Sequence, residues 1–413
     1  MKTAIIGTGI SGLTAAYLLH RDHDITVFEA NDYIGGHTHT VPAQTPEGIF
    51  PVDTGFIVFN ETTYPNFCKL LSRLQIPSQP TTMTLSVKCE RTNLEWSPHT
   101  FNTTFAQRRL LMDISHWRMM WEIVRFRKQF PELIRIEHDD ETLVGYLRRK
   151  GFSERFIDYF IIPMGSSLWS AAPEFFERFP LRTFVRFFHN HGIFESPHPL
   201  QWKVITGGSK QYVDALIRPF AQQIRPSCPV QRVRRLPDGV EVVTRDQTMQ
   251  FDHVIIATHS DQALAMIEKP TPLEQEILGA IPYQENTVTL HTDTTILPER
   301  KWVWASWNYL IPRQVQHRVA VTYDMNILQG IQSSREFCVT LNRPDAVHPA
   351  QVIGTYRYEH PIYTTQAPGA QKRHAEISGV DRIHYCGAYW GYGFHEDGVR
   401  SALEVCKRFG KGL

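Results

Sequence analysis

The sequence predicts an α/β fold that opens on a βαβ unit, ends on a strand, glycine turn and helix, and carries an α+β region between. Three observations predict it. The chain opens on Ala4-Ile5-Ile6, then Gly7-Thr8-Gly9-Ile10-Ser11-Gly12, a helical run to His20 and a second apolar run, Ile25-Thr26-Val27-Phe28, closed by Glu29. A long middle stretch is rich in helix signals first and alternating strands later. Near the C-terminus Ile383-His384-Tyr385 runs into Cys386-Gly387-Ala388, and a second glycine-bearing segment, Gly393-Phe394-His395-Glu396-Asp397-Gly398, leads a helix.

The opening unit has a physical logic. Short, apolar, β-branched runs suit buried parallel strands. Gly7 permits the tight turn out of the first strand, Gly9 lets backbone approach a pyrophosphate, and Gly12 lets helix and sheet pack closely. The helix start, with Ser11 in its first turn, offers free N–H groups and a positive dipole end to phosphates. Glu29, 17 residues beyond Gly12, stands where a carboxylate accepts ribose hydroxyls. Strand, turn, helix, strand and acid in this order point to a dinucleotide site rather than a plain turn.

After Glu29-Ala30 come Gly35 and Gly36, followed by His37. This spacing resembles the long fingerprint of the FAD-dependent amine oxidase, protoporphyrinogen oxidase and phytoene desaturase superfamily. The resemblance implies FAD as cofactor, with the paired glycines bringing a second loop against the pyrophosphate. That superfamily often carries Arg where His37 stands, and a neutral imidazole donates one hydrogen bond without fixed charge.

Further segments resemble the same superfamily. Val52-Asp53-Thr54-Gly55 resembles the stretch passing the ribityl chain and flavin edge, with Asp53 as an acceptor there or as a turn carboxylate. Ile205-Thr206-Gly207-Gly208-Ser209 resembles its Gly-Gly turn before a helix. Val230 is either the valine whose backbone meets adenine or a buried strand valine. The C-terminal block resembles the closing motif, in which a helix N-terminus faces the flavin. It implies cofactor contacts at Gly387, Gly398 and the N–H of Val399, a helix start near Asp397-Gly398, and Phe394 as a flavin-facing aromatic. Many relatives carry an acid where Ala388 stands; Glu396, Asp397 and Asp53 are the candidates to replace it.

The fold so implied is a Rossmann-type FAD-binding domain of the glutathione reductase kind, discontinuous over 1–81, 201–282 and 350–413. An inserted α+β substrate domain takes 82–200 as a helical part and 283–349 as an antiparallel sheet. In the insert, Leu110, Ile114, Trp117, Trp121 and Val124 recur at helical spacing, bordered by Arg108, Arg109, Arg118, Arg125, Arg127 and Lys128. Such a stripe either covers a core or lies on an anionic bilayer; the core role is the expectation.

Composition bounds the partners. The 413 residues are 42% hydrophobic and 12% aromatic, enough for a large core and an aromatic-lined pocket. A formal net charge of +1 gives no field for nucleic acid. Cys68, Cys89, Cys228, Cys338, Cys386 and Cys406 form no CxxC pair, and the chain shows no signal-peptide pattern and no long apolar run. A cytoplasmic protein with reduced thiols is expected, with peripheral contact at the inner face of the membrane as the alternative use of the basic helix. His37, His39, His189, His191 and His198 lack an acid or cysteine to complete a ligand set, so no metal is expected.

Trp304-Ala305-Ser306-Trp307-Asn308-Tyr309 and Gly393-Phe394-His395-Glu396-Asp397-Gly398 resemble a bacterial branch associated with cyclopropane and methylated (furan) fatty acid synthesis. That resemblance implies an FAD-dependent dehydrogenase taking hydride from a C–H bond of an apolar, fatty-acyl substrate. An amine oxidase acting on a soluble amine and a flavin-dependent isomerase without net redox turnover are the alternatives.

Overall fold

The computed structural model describes residues 1–135, 141–194, 200–314 and 316–413. A five-stranded sheet carries the N-terminal unit, in the order Ile224–Arg225, Asp24–Phe28, Lys2–Ile6, His253–Ile256, Ile383–Tyr385, every pair parallel. Its strands alternate between two cores. Ile5, Val27 and Ile255 pack with the helices Ile10–Leu19 and His395–Lys407. Ala4, Ile6, Phe28, Val254 and Ile256 face the other way, toward the antiparallel strands Val230–Leu236, Gly239–Thr244 and Thr248–Phe251. Both faces are covered, which explains why these strands read as continuous apolar runs.

A seven-stranded sheet forms the second layer system: Val352–Pro361, Tyr283–His291, Cys338–Leu341, Val321–Asp324, Trp307–Ile311, Leu85–Cys89, Leu94–Trp96. Pairing is antiparallel except between Trp307–Ile311 and Leu85–Cys89. The sheet extends past the stretch 283–349 expected from the sequence. Val352–Pro361 lies along Tyr283–His291 from Tyr283↔Pro361 to His291↔Val352, so one strand expected in the first domain belongs to the second sheet. Two more strands come from the start of the insert, tied in by Ser86 Oγ, which donates to Asn308 Oδ1 at 2.8 Å. Strand partners more than 200 residues away leave no trace in local spacing.

The rest of the insert is helical, with Ile114–Leu133, Leu143–Arg149, Ile162–Trp169 and Leu181–Asn190 packed around a phenylalanine-rich core. Here the expected core face is reversed. Leu110 is buried, but Ile114, Trp117, Trp121 and Val124 are 85%, 46%, 60% and 51% exposed. The helix instead buries His116, Met119, Glu122, Phe126, Phe130 and Leu133. Glu122 disguises this second stripe in the sequence. Its carboxylate is fully buried and accepts from Arg118 Nε at 3.0 Å and from Ser153 N and Oγ at 3.0 and 2.5 Å. A buried charge is tolerated when it is paired and hydrogen-bonded in this way.

Candidate active site

A cavity of about 820 Å³ runs between the two sheets. One end is built by the N-terminal unit. Gly7 takes φ +103°, and a side chain there would sit 2.8 Å from the Ala257 carbonyl oxygen. At Gly12 a Cβ would lie 2.0 Å from the Gly7 carbonyl oxygen, so this glycine seats the helix on its own turn. Gly9 differs from both. Its φ of −66° and ψ of 174° suit any residue, and a Cβ there would meet nothing within 4 Å. The neighbouring loop comes in so close that a Cβ on Gly36 would lie 3.0 Å from the Gly9 Cα. Gly35 N donates to Thr8 Oγ1 at 3.2 Å, locking the two loops together.

Glu29 closes this end. Its Oε2 accepts from Thr8 N at 3.0 Å and from Thr8 Oγ1; its Oε1 accepts from Asn31 N and Nδ2 at 2.9 and 3.0 Å. The carboxylate is thereby held in one orientation on the cavity wall.

Of the residues expected at the cofactor, Gly7, Gly9, Ser11, Glu29, Gly35, Gly36, His37, Gly55, Val230, Gly387 and Phe394 line this one cavity. Gly12, Asp53, Gly398 and Val399 do not. Asp53 is buried behind the wall, where it accepts from Ser209 N and Oγ at 2.9 and 2.8 Å and from Gln329 Nε2 at 3.2 Å. Desolvation pushes its carboxyl up to about 6. Gly398 is placed for helix packing: a Cβ would sit 2.7 Å from Ile10 Cγ2 and 2.9 Å from Ser11 Oγ.

The terminal helix begins at His395, two residues before the expected start. The Gly398 N–H is therefore spent on the Phe394 carbonyl at 3.1 Å. Val399 lies inside the helix and is fully buried, away from the wall. Asp397 pulls the start forward by accepting from Tyr392 N and Phe394 N at 2.9 and 3.2 Å. Glu396 caps a different helix, Pro65–Arg73, through Asn66 N and Phe67 N, both at 3.0 Å. None of Asp53, Glu396 and Asp397 therefore supplies an acid beside Ala388 on the cavity wall.

The middle of the cavity is an imidazole-rich zone. His37 Nε2 lies 3.1 Å from the Glu359 carbonyl oxygen, and its ring sits 5.3 Å from His360, 5.4 Å from Tyr358 and 5.8 Å from His259. Desolvation, then the neighbouring His259, drives His37 down to about 4; desolvation, then His37, drives His360 to about 3. Both rings are neutral near pH 7. Asn286 Nδ2 donates to His360 Nδ1 at 2.9 Å. His259 Nδ1 lies 3.2 Å from Glu359 Oε2, which holds that carboxylate below its ordinary range.

The second sheet and the insert supply the remaining wall. Met83, Leu168, Trp169, Val288, Trp307 and Leu341 lie here, with Tyr323 turned at 89° to Trp307. Of the expected tryptophan block, Trp307 faces the cavity, Trp304 donates to the Pro298 carbonyl oxygen at 2.7 Å, and Trp302 is exposed. Tyr33, His259, Tyr358 and His360 have no local signal in the sequence; Tyr358 and His360 sit on a strand brought in by its pairing with Tyr283–His291. His198 falls outside the described residues. Among the described residues no group of three His, Cys, Asp or Glu is placed for a metal ion.

These residues fit FAD. The open space above Gly9, the Gly9–Gly36 approach and the oriented Glu29 form a cradle of the kind a dinucleotide needs. A further helix start, at Phe394-His395, meets the same cavity.

The model of the family described as flavin containing amine oxidoreductase matches residues 10–334. AofH of Mycobacterium tuberculosis, a protein of the flavin-containing monoamine oxidase type, is 24% identical over 292 residues. That match covers 68% of this chain and 62% of AofH, so the chain spans less than two thirds of that relative. Among solved structures, cyclohexylamine oxidase from Brevibacterium oxydans superposes with a TM-score of 0.67 at 17% identity, covering 99% of both chains. The CLA-producing fatty acid isomerase from P. acnes superposes with a TM-score of 0.67 at 14% identity, covering 98% of both. At such identities these two likenesses concern the fold alone.

Proposed function

The chain belongs to the flavin-containing amine oxidoreductase family, and on that premise we propose that it is an FAD-dependent oxidoreductase taking hydride from a C–H bond of an apolar substrate. The substrate class we infer is a methylated or cyclopropane-type fatty-acyl chain, which the enzyme desaturates. The observation that carries this reading is the aromatic and aliphatic wall formed by Met83, Leu168, Trp169, Val288, Trp307 and Leu341.

FAD, when bound, supplies the two-electron acceptance, and the chain supplies binding, orientation and dryness. Gly9, Ser11, Gly36 and Glu29 hold the nucleotide end. The dipole of the terminal helix sets a positive end against the cavity beside Phe394. His37 and His360 line the passage as neutral rings, adding hydrogen-bonding capacity without charge. The apolar wall orders an acyl chain and keeps water from it.

A soluble amine is the second reading, favoured by Glu285 and Glu359 on the same wall, either of which would attract an ammonium group. The test is anaerobic mixing of the yellow protein with methylated acyl lipids and with amines while the flavin absorbance is followed. Bleaching by the acyl lipid supports the proposal; bleaching by amines alone overturns it. Conversion of an unsaturated acyl chain to an isomer without an electron acceptor, and only with pre-reduced flavin, assigns isomerase activity instead.

A further inference from the structure

We propose that the exposed face of the helix Ile114–Leu133, with the short helical turn Arg108–Met112 before it, docks on a lipid bilayer rich in anionic headgroups. The face carries Phe101, Met112, Ile114, Trp117, Trp121 and Val124, all exposed, with Met112 at 87% and Ile114 at 85%. Exposure of this many large apolar side chains on one helix and its lead-in turn marks an interaction surface rather than ordinary scatter. The ring of Trp117 packs 4.6 Å from Phe105, and Phe105 packs 4.8 Å from Phe101, so the patch continues from the long helix to the short helix Phe101–Thr104.

Charge selects the partner. Between residues 108 and 128 there are six basic residues, Arg108, Arg109, Arg118, Arg125, Arg127 and Lys128, and two acids, Asp113 and Glu122. Both acids are already neutralised within the fold. Glu122 is buried against Arg118, and Asp113 caps the helix and pairs with Arg155 at 2.9 Å. What faces outward is therefore apolar and cationic. Arg125 lies 5.6 Å over the Trp121 ring, keeping its charge at the rim while the indole projects.

A small polar cavity of about 290 Å³ opens at the foot of the patch, lined by Thr92, Arg109, Asp113, Arg155 and Tyr159 among others. Arg155 Nε is buried there without a hydrogen-bond partner among the described residues. Tryptophan and basic side chains together are the composition that seats a helix in the plane of a bilayer interface. A second copy of this chain would set cation against cation and is the disfavoured occupant. The inference stands apart from the substrate reading, since an amine oxidase would carry the same surface.

The test uses the full FAD-loaded chain. It is mixed with vesicles of phosphatidylcholine alone or with added phosphatidylglycerol, and bound protein is separated by flotation. Binding is expected only to the anionic vesicles, weakening as salt is raised. Met112→Ser with Ile114→Ser alters the two most exposed side chains of the face, and should remove flotation while leaving FAD content and thermal midpoint unchanged. Arg127→Glu with Lys128→Glu should weaken partition roughly fivefold for each charge removed, before any added repulsion. Wild-type protein that stays unbound on anionic vesicles, or variants that float like wild type, would overturn the proposal. So would a wild-type dimer in solution that the Met112/Ile114 variant dissociates, because the face would then be an interface between copies.

Discussion

Gly9 and Gly12 are separated by two residues, yet substitutions at them should fail in opposite ways. At Gly9 the backbone is in a conformation open to any residue, and a Cβ meets no protein atom within 4 Å. The Cβ of Gly9→Val therefore meets no steric obstacle in the protein. It exchanges the helix N-cap residue, a cost of about 1 kcal/mol at most, offset in part by about 0.4–1 kcal/mol from a stiffer unfolded chain. The cofactor-free protein should keep its thermal midpoint within about 2 °C. The new side chain projects into the cradle facing Gly36, where the cofactor's pyrophosphate must approach the backbone. FAD content, measured from the flavin absorbance released on denaturation, should fall to a small fraction of one per chain.

Gly12→Ala puts a Cβ 2.0 Å from the Gly7 carbonyl oxygen and 3.2 Å from Ala257 Cβ. Helix and turn must separate, at a cost of about 1–3 kcal/mol or more. This variant should lose stability even without cofactor, and its FAD content should fall only as far as the turn is displaced. A Gly9→Val protein with stoichiometric FAD would refute the assignment of the cradle. A Gly9→Val protein that unfolds without cofactor would refute the packing argument.

Gly398→Val should destabilise the chain by about 1–3 kcal/mol in urea titration, because its side chain would collide with Ile10 and Ser11 across the helix pair. His360 yields a pH prediction. Its folded-state value of about 3 lies below the ordinary 6.5, so the unfolded chain binds the extra proton first as pH falls. Its contribution to stability is complete above 6.5 and is lost progressively toward about 3, at no more than about 1.4 kcal/mol per pH unit. His360→Gln should reduce the loss of stability between about pH 7 and about pH 5, read from urea midpoints. Trp307→Ala should lower kcat/KM for a long acyl substrate roughly 10- to 100-fold, the equivalent of losing about 1.5–3 kcal/mol of apolar contact; an equal loss for small amines would argue against an acyl channel.

Two stretches were legible because their meaning is local. Within the turn Gly7–Gly12, Gly12 must be glycine because the Gly7 carbonyl oxygen of its own turn excludes a side chain, and Gly7 because of its positive φ and the Ala257 carbonyl oxygen against it, while Gly9 is left open toward the cavity. In the run Ile383–Ala388 the glycine answers to a near neighbour, since a Cβ on Gly387 would lie 2.3 Å from the Tyr389 ring. The helix Ile114–Leu133 shows the opposite case. It carries two apolar stripes, and the sequence could not rank them. The stripe through Met119, Phe126 and Phe130 is buried because Ser153 and Arg118 satisfy Glu122, and Ser153 comes from a different helix start.

The sequence by itself determined that a parallel βαβ unit opens this chain, and its resemblance to a known superfamily tied a glycine-bearing helix start near its end to the same site. Glu29 was legible at the cavity, but tertiary structure alone decided where the other candidate carboxylates go. Asp53, Glu396 and Asp397 were equal candidates by position, and each was drawn off to unpaired backbone amides at a neighbouring helix start or turn. A carboxylate goes where buried N–H groups lack partners, and those groups come from segments distant in the chain, so their demand appears only once the fold has closed.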